Sequence, residues 1–317
     1  MRYALMTEPQ QGLTYDEILA AAQGAEAAGL EAFFRSDHYA SFPGGTGKPT
    51  TDAWSTLAGL ARETSTIRLG VLVSPVTFRL PGNLAKVVQT VDEMSGGRIE
   101  AGFGAGWNDD EHAQLGLPFP PLRERFDMLE DQMAIIHGLW TEPDGWSFEG
   151  RHWDVKGSMR HGEVARGGRR HPHVIFGGKG GPRLARLVAQ YGDEFNLSPG
   201  TPEAAPEAYA NVRSACVEVG RDPEQLEYSA MTGVLVAETD ADLKARVADL
   251  LAALGQSDMD GEAWLADRRN RWIMGTPEQA FERVRAFEAA GTQRLMLQDF
   301  VPRDLDHIGL IGRIFAA

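Results

Sequence analysis

Gly29-Leu30-Glu31-Ala32-Phe33-Phe34-Arg35-Ser36-Asp37-His38 holds, in ten residues, the passage from helix to strand to strand end. The segment before it, residues 15–28, is amphipathic and opens on Thr14 ahead of Asp16-Glu17. That is a helix start, and a glycine just past the last apolar turn is a helix stop. The apolar run 32–34 is short and bounded on both sides, the pattern of a parallel strand covered by helices on both faces. Polar side chains take over at once in Ser36-Asp37-His38.

Working outward, the same alternation recurs. Apolar runs at 3–6, 67–73, 99–103, 173–176, 194–197, 228–236 and 294–297 bring the strands to eight. Helical patterns at 52–63, 82–94, 122–139, 183–190, 206–219, 240–254 and 278–290 lie between them, the last opened by Thr276-Pro277-Glu278 and closed by Gly291. Strand and helix in strict turn, with no break in composition, predict an α/β chain. The expected form is a single (β/α)8 TIM barrel over residues 1–317, with an insertion after strand four at about 141–171 and extra C-terminal helices. A helix at 261–273 falls outside the count, which keeps a three-layer sandwich as the alternative. In the insertion, residues 146–155 alternate aromatic with polar about Gly150 and predict a hairpin, and the Gly-rich basic stretch 156–170 predicts a lid.

Composition narrows the partners. The 317 residues are 43% hydrophobic and 24% charged, enough apolar material for a large core. A formal net charge of −14 argues against nucleic acid and anionic membrane surfaces. The short basic cluster at 166–173 reads as a loop. The single cysteine, Cys216, lies in a helical pattern and reads as a buried thiol, in keeping with a reducing compartment. With no apolar signal core at the start and no stretch of transmembrane length, the expectation is a cytoplasmic protein. Its partner is expected to be a small-molecule substrate, with a homodimer possible.

In a barrel, the residues directly after each strand form the C-terminal face, where active sites lie. That rule nominates Thr7-Glu8, Ser36-Asp37-His38, Ser74 and Thr77, residues 104–108 and residues 177–183. His38 is the candidate acid or base, because imidazole titrates near neutrality, and Asp37 would orient the ring or hold a ligand donor. The plainer reading makes Asp37 a turn cap and His38 rim packing. No metal site is expected: no His-x-His follows the first strand, and His137, His152 and His307 fall in helical or insertion patterns. Gly177-Gly178-Lys179-Gly180-Gly181-Pro182-Arg183 joins a strand to a helix, so backbone N–H groups, Lys179 and Arg183 would form a phosphate cradle, or else only a tight connection. Gly102-Phe103-Gly104-Ala105-Gly106-Trp107 leaves room for a flat ring against the backbone, unless the glycines only relieve crowding and Trp107 is core.

Taken together, Arg35-Ser36-Asp37-His38, the run Leu69-Gly70-Val71-Leu72-Val73-Ser74-Pro75-Val76-Thr77-Phe78-Arg79, Gly104-Ala105-Gly106-Trp107 with Glu111-His112, and Gly275-Thr276-Pro277 resemble the bacterial-luciferase-like oxidoreductases. The resemblance covers nearly the whole chain and is strongest to the branch that uses the deazaflavin coenzyme F420. It implies that Asp37 contacts the deazaflavin edge, that a non-prolyl cis peptide near Leu72-Val73 forms a bulge behind the ring, and that Gly177-Gly178 binds the cofactor phosphate. The full expected cofactor set is Asp37, Leu72, Val73, Ser74, Thr77, Gly106, Gly177, Gly178, Lys179, Gly180 and Arg183. One departure stands out: the sugar-phosphate dehydrogenases of this branch carry a catalytic Glu after the strand-four glycines, where this chain has Trp107. That leaves His38 to move the proton and Trp107 to stack on the ring or wall the pocket.

Three functions follow as expectations. The first is hydride transfer between F420 and a small organic substrate. The second keeps the fold but uses reduced FMN and oxygen, as a monooxygenase. The third is a non-catalytic carrier of a flavin or deazaflavin. Substrate choice is expected to lie in the insertion at 140–172 and the loop at 256–271.

Overall fold

The computed structural model describes residues 1–42, 47–159, 171–254 and 256–316. Its elements follow in chain order as β1 Arg2–Thr7, α1 Tyr15–Ala27, β2 Ala32–Arg35, α2 Ala53–Glu63, β3 Arg68–Pro75, α3 Pro81–Ser95, β4 Ile99–Gly104, α4 Asp109–Leu115 and α5 Leu122–Thr141. Then come β5 Trp146–Glu149, β6 Asp154–Ser158, β7 His173–Gly178, α6 Pro182–Tyr191, β8 Glu194–Leu197, α7 Ala205–Glu218 and β9 Glu227–Val236. The chain ends with α8 Asp240–Ala253, α9 Gly261–Arg268, β10 Ile273–Gly275, α10 Pro277–Ala289, β11 Arg294–Asp299 and α11 Leu305–Phe315. Among the described residues, eight parallel strands close in the order β1-β2-β3-β4-β7-β8-β9-β11, with β11 pairing back to β1. Closure rules out the three-layer alternative.

Local chemistry accounts for the ends of these elements. Thr14 and Glu17 form a reciprocal capping box on α1, and Thr276 with Gln279 does the same on α10. The hairpin β5–β6 stands where the aromatic alternation places it. The stretch 160–170, with most of the lid and of the basic cluster read from the sequence, lies outside the described residues. The expected helix at 261–273 is corrected: α9 stops at Arg268, and Ile273–Gly275 form β10 alongside Val234–Val236 of β9. Three residues are too few to show a period, so this strand was hidden behind a helical pattern. No helix among the described residues is long and apolar enough to cross a membrane.

Alternation along the strands divides the core. Leu5, Phe33, Leu295 and Leu297 pack outward in the main cluster beneath the helices. Ala4, Met6, Ala32, Phe34, Leu72, Ile175 and Met296 form a separate cluster inside the ring. Below that cluster the floor is ionic, built from side chains at or next to the first residue of their strands. Arg294 Nη1 donates to Glu100 Oε2 at 2.6 Å and to Glu194 Oε2 at 3.1 Å, and His173 Nε2 stands 3.0 Å from Glu194 Oε2. Arg68 pairs with Glu100, and Arg2 with Glu227. Burial alone would raise Glu100, but Arg294, His173 and Arg68 hold it well below the usual carboxylate range. Glu100, His173 and Glu194 bring ligand-type atoms within 4.8 Å of one another, and the Arg294 guanidinium supplies the positive charge they share.

Candidate active site

At the other end of the barrel, the strand C-termini open into a cavity of about 1010 Å³. Met6 and Glu8 reach it from β1, Ser36, Asp37 and His38 from β2, Leu72 and Val73 from β3, and residues 104–107 from β4. Gly177, Gly178, Lys179 and Arg183 come from the β7–α6 connection, and Ser198, Pro199, Met231 and Gln298 close the ring.

The back wall is a bulge. The register between β3 and β4 shifts between Val71 and Ser74, and the Leu72–Val73 peptide is cis, as the resemblance implies. Val73 projects between two glycines: a Cβ on Gly104 would lie 2.6 Å from its Cγ2, and one on Gly177 would lie 3.0 Å from its Cγ1. These glycines therefore make way for Val73, and the three residues together present a low shelf that admits a planar ring.

His38 is held from behind. Its Nδ1–H donates to Glu111 Oε1 at 2.8 Å, while Glu111 Oε2 accepts the Tyr39 N–H at 2.9 Å. Phe42 and Trp107 meet the imidazole edge-on, with centroids 4.8 Å and 5.5 Å away. Burial works against a charged His38, but the hydrogen bond and the charge of Glu111 outweigh it, with smaller help from Glu8 and Asp37, and its pKa is raised above the ordinary imidazole value. The imidazolium therefore persists to higher pH than in a free histidine. Glu111→Gln removes that support, so the His38 ionisation is expected to move to lower pH, read by NMR titration of the ring; an unmoved titration would remove Glu111 from this role.

A carboxylate does stand beside His38, although not at position 107: it is Glu111, which lines the same cavity. It sits in the first turn of α4, which starts five residues after β4 and folds back over the cavity. No spacing after the glycines marks Glu111, although Glu111-His112 belongs to the stretches that carry the family resemblance. Trp107 is not core: 63% of it is exposed, where it walls the cavity mouth. Glu8, at the end of β1 as the strand-end rule places it, accepts from the Gln10 side chain at 2.6 Å and from the Gln298 side chain at 2.5 Å.

Asp37 lines the cavity but is already engaged. Ser74 Oγ donates to its Oδ2 at 2.8 Å, and Arg79 donates to Oδ2 at 2.5 Å and to Oδ1 at 3.2 Å. Its carboxylate is fully buried beneath these partners. Of the other expected site residues, Leu72, Val73, Gly106, Gly177, Gly178 and Lys179 line the same cavity. Three do not. Ser74 stands behind Asp37 and accepts from Trp54 Nε1, Thr77 Oγ1 lies 2.6 Å from His112 Nε2, and Gly180 packs against the backbone of Ala208. Arg183 touches the cavity, but its guanidinium bridges to Glu130 and Asp127 at 2.6 Å each, which leaves Lys179 and Arg123 as the less committed cations of the lining.

A family model described as luciferase-like monooxygenase matches residues 1–294. An F420-dependent glucose-6-phosphate dehydrogenase from Nakamurella multipartita is 28% identical over 302 residues, spanning 88% of this chain and 85% of that protein. Among solved structures, an F420-dependent secondary alcohol dehydrogenase in complex with an F420-acetone adduct superposes with a TM-score of 0.80 at 18% identity, covering 99% of this chain and 98% of that one. The oxygenating constituent of 3,6-diketocamphane monooxygenase from Pseudomonas putida, in complex with FMN, gives 0.76 at 19% identity over 100% of this chain and 98% of that one. At such identities the superpositions speak for the fold.

Proposed function

The chain belongs to the luciferase-like monooxygenase family, and from that premise we propose that it is an oxidoreductase moving a hydride between coenzyme F420 and a small uncharged alcohol or carbonyl compound. The observation that carries this reading is the His38–Glu111 pair at the wall of a cavity large enough for a deazaflavin ring. The residues present fit that group. The shelf of Gly104, Val73 and Gly177 suits a flat ring, and Lys179 with Arg123 suits an attached phosphate. F420 supplies, when bound, a carbon at C5 that accepts or donates a hydride.

The protein's own share is proton transfer and orientation. With Nδ1–H committed to Glu111, His38 Nε2 is the atom that takes the proton from a substrate hydroxyl as the carbon loses its hydride, or returns it to a carbonyl oxygen in the reverse direction. Glu111 fixes the ring and stabilises the imidazolium, the part an acid plays behind a catalytic histidine. Trp107 and Phe42 keep water from the imidazole and give the substrate an apolar wall.

The charge of this region supports an uncharged substrate. Glu8 is held by neutral amides and Glu111 shares its charge with His38, while the side chains around them, Met6, Phe42 and Trp107, are apolar. A phosphate brought to about 4 Å from an uncompensated carboxylate meets a repulsion of about 4 kcal/mol at an effective dielectric of about 20. An uncharged secondary alcohol is thus expected to show a kcat/KM at least about tenfold above that of glucose 6-phosphate; equal or reversed values would contradict the assignment.

The second reading, FMN-dependent oxygenation, draws support from the FMN-bound neighbour. Titrating the apoprotein with F420 and with FMN, followed by fluorescence, separates the two. Micromolar F420 binding with weak FMN binding is expected; the opposite order would overturn the F420 reading.

A further inference from the structure

Of the seven residues of α4, Glu111 and His112 are the buried pair, each 1% exposed. Glu111 is committed to His38 and Tyr39, so the seat of the helix rests on its neighbour. His112 Nδ1 lies 2.6 Å from the Asn108 carbonyl oxygen, and its Nε2 lies 2.6 Å from Thr77 Oγ1 in the β3–α3 connection. A carbonyl oxygen only accepts, so in the neutral ring Nδ1 carries the hydrogen and Nε2 accepts from the Thr77 hydroxyl. The ring also packs against Phe78 and Phe119, with centroids 5.1 Å and 4.4 Å away, and the Arg125 guanidinium lies 3.7 Å from the Phe119 centroid. The connection at 76–80 thus reaches both sides of the His38 site. Thr77 holds His112, Phe78 stacks on Tyr39, whose N–H meets Glu111, and Arg79 pairs with Asp37.

We propose that His112 is a positioning residue of this site: through its bridge to Thr77 it seats α4 so that Glu111 reaches His38. The inference deepens the proton-transfer reading above and rests on it for its kinetic consequence alone. Glu111 and His112 are adjacent on the helix, about 100° apart around its axis, so a slide or rotation of the His112 ring in its slot carries the carboxylate with it. Without the bridge, α4 would be held chiefly by Glu111 itself, and the 2.8 Å contact with His38 Nδ1 would have to anchor the helix as well as fix the imidazole. His112 does not line the cavity, so it acts through Glu111 and not on the reacting atoms.

The test is the His38 ring titration by NMR in the cofactor-free protein, with the unfolding midpoint measured beside it. The charged groups acting on His38 are Glu111 on α4, Glu8 after β1 and Asp37 after β2, and of these Glu111 is the one that α4 carries. His112→Phe keeps a ring between Phe78 and Phe119 but removes both hydrogen bonds, and Thr77→Val removes the hydroxyl at nearly constant shape. Both are expected to move the His38 ionisation to lower pH, the direction expected of Glu111→Gln. The double variant is expected to move it no further than the larger of the two single changes, because the two residues act through one shared contact. Thr77→Ser, which restores the hydroxyl, is expected to titrate as the wild type does. In turnover, kcat is expected to fall about three- to tenfold in His112→Phe and in Thr77→Val, the scale of one net hydrogen bond, with F420 affinity within about twofold of the wild type. An unmoved His38 titration in folded His112→Phe or Thr77→Val protein, or an equal shift in Thr77→Ser, would overturn the positioning role. If His112→Phe does not fold, Thr77→Val decides. The titration needs no cofactor, so failure of F420 to bind would overturn the F420 reading and leave this result standing.

Discussion

His38→Ala is expected to lower turnover by about 10²–10⁴-fold, the usual contribution of a positioned acid or base, while F420 binds with nearly unchanged affinity. The split follows from the geometry. His38 hangs from Glu111 and is packed by Phe42 and Trp107, whereas the shelf behind the ring is built by Val73, Gly104 and Gly177. Removing the imidazole thus takes away the group that moves the proton without disturbing the surface that would hold the cofactor. Glu111→Gln should lose less than His38→Ala, because the glutamine can still hold the ring but not stabilise its charge. Full turnover by His38→Ala protein, with cofactor bound, would take His38 out of the mechanism.

The second large effect lies at the opposite end of the barrel. Arg294→Met is expected to destabilise the protein by about 3–5 kcal/mol, because it strands two carboxylates rather than deleting a neutral contact. Arg294 is 1% exposed, Glu100 2% and Glu194 0%, so water cannot replace the lost guanidinium without opening the floor. The dependence on pH should change sign. In the wild type both carboxylates are held below their ordinary range, against burial, chiefly by Arg294. Their contribution is present above the unfolded-state pKa and is lost only as pH falls through the lower folded value. Without Arg294 burial dominates and the folded values rise, so the variant should gain stability as pH falls from about 7 to about 5. Adding Glu100→Gln and Glu194→Gln should restore part of the loss. Denaturant midpoints across pH check this, and a wild-type-like midpoint in Arg294→Met would show that the floor charges are compensated elsewhere.

What the sequence disclosed and what it hid have physical reasons. The eight barrel strands were legible because each is a short apolar run between helix signals, and β2 shows why: Ala32, Phe33 and Phe34 are all fully buried, so no polar face interrupts the run. His38 and Glu8 were legible because strand ends point at the cavity. Glu111 was not, because it returns to the cavity from a helix beyond the strand end, a path with no fixed spacing. The ionic floor was hidden for the same kind of reason. Arg294 and Glu100 lie 194 positions apart and meet only because the ring closes. In the sequence each is a single charge within an otherwise apolar run, at 99–103 and at 294–297. Trp107 was open between core and site because glycines before an aromatic residue serve either, and only its exposed position against His38 and Phe42 decides.

The most direct test of the account is anaerobic turnover with F420 and a panel of uncharged alcohols, run in parallel with reduced F420 and the matching ketones and aldehydes, and followed by the deazaflavin absorbance. That absorbance is expected to fall with an alcohol, or to rise with a carbonyl compound, without oxygen. The rate is expected to collapse in His38→Ala. Turnover only with reduced FMN and oxygen, with the deazaflavin absorbance unmoved, would contradict it.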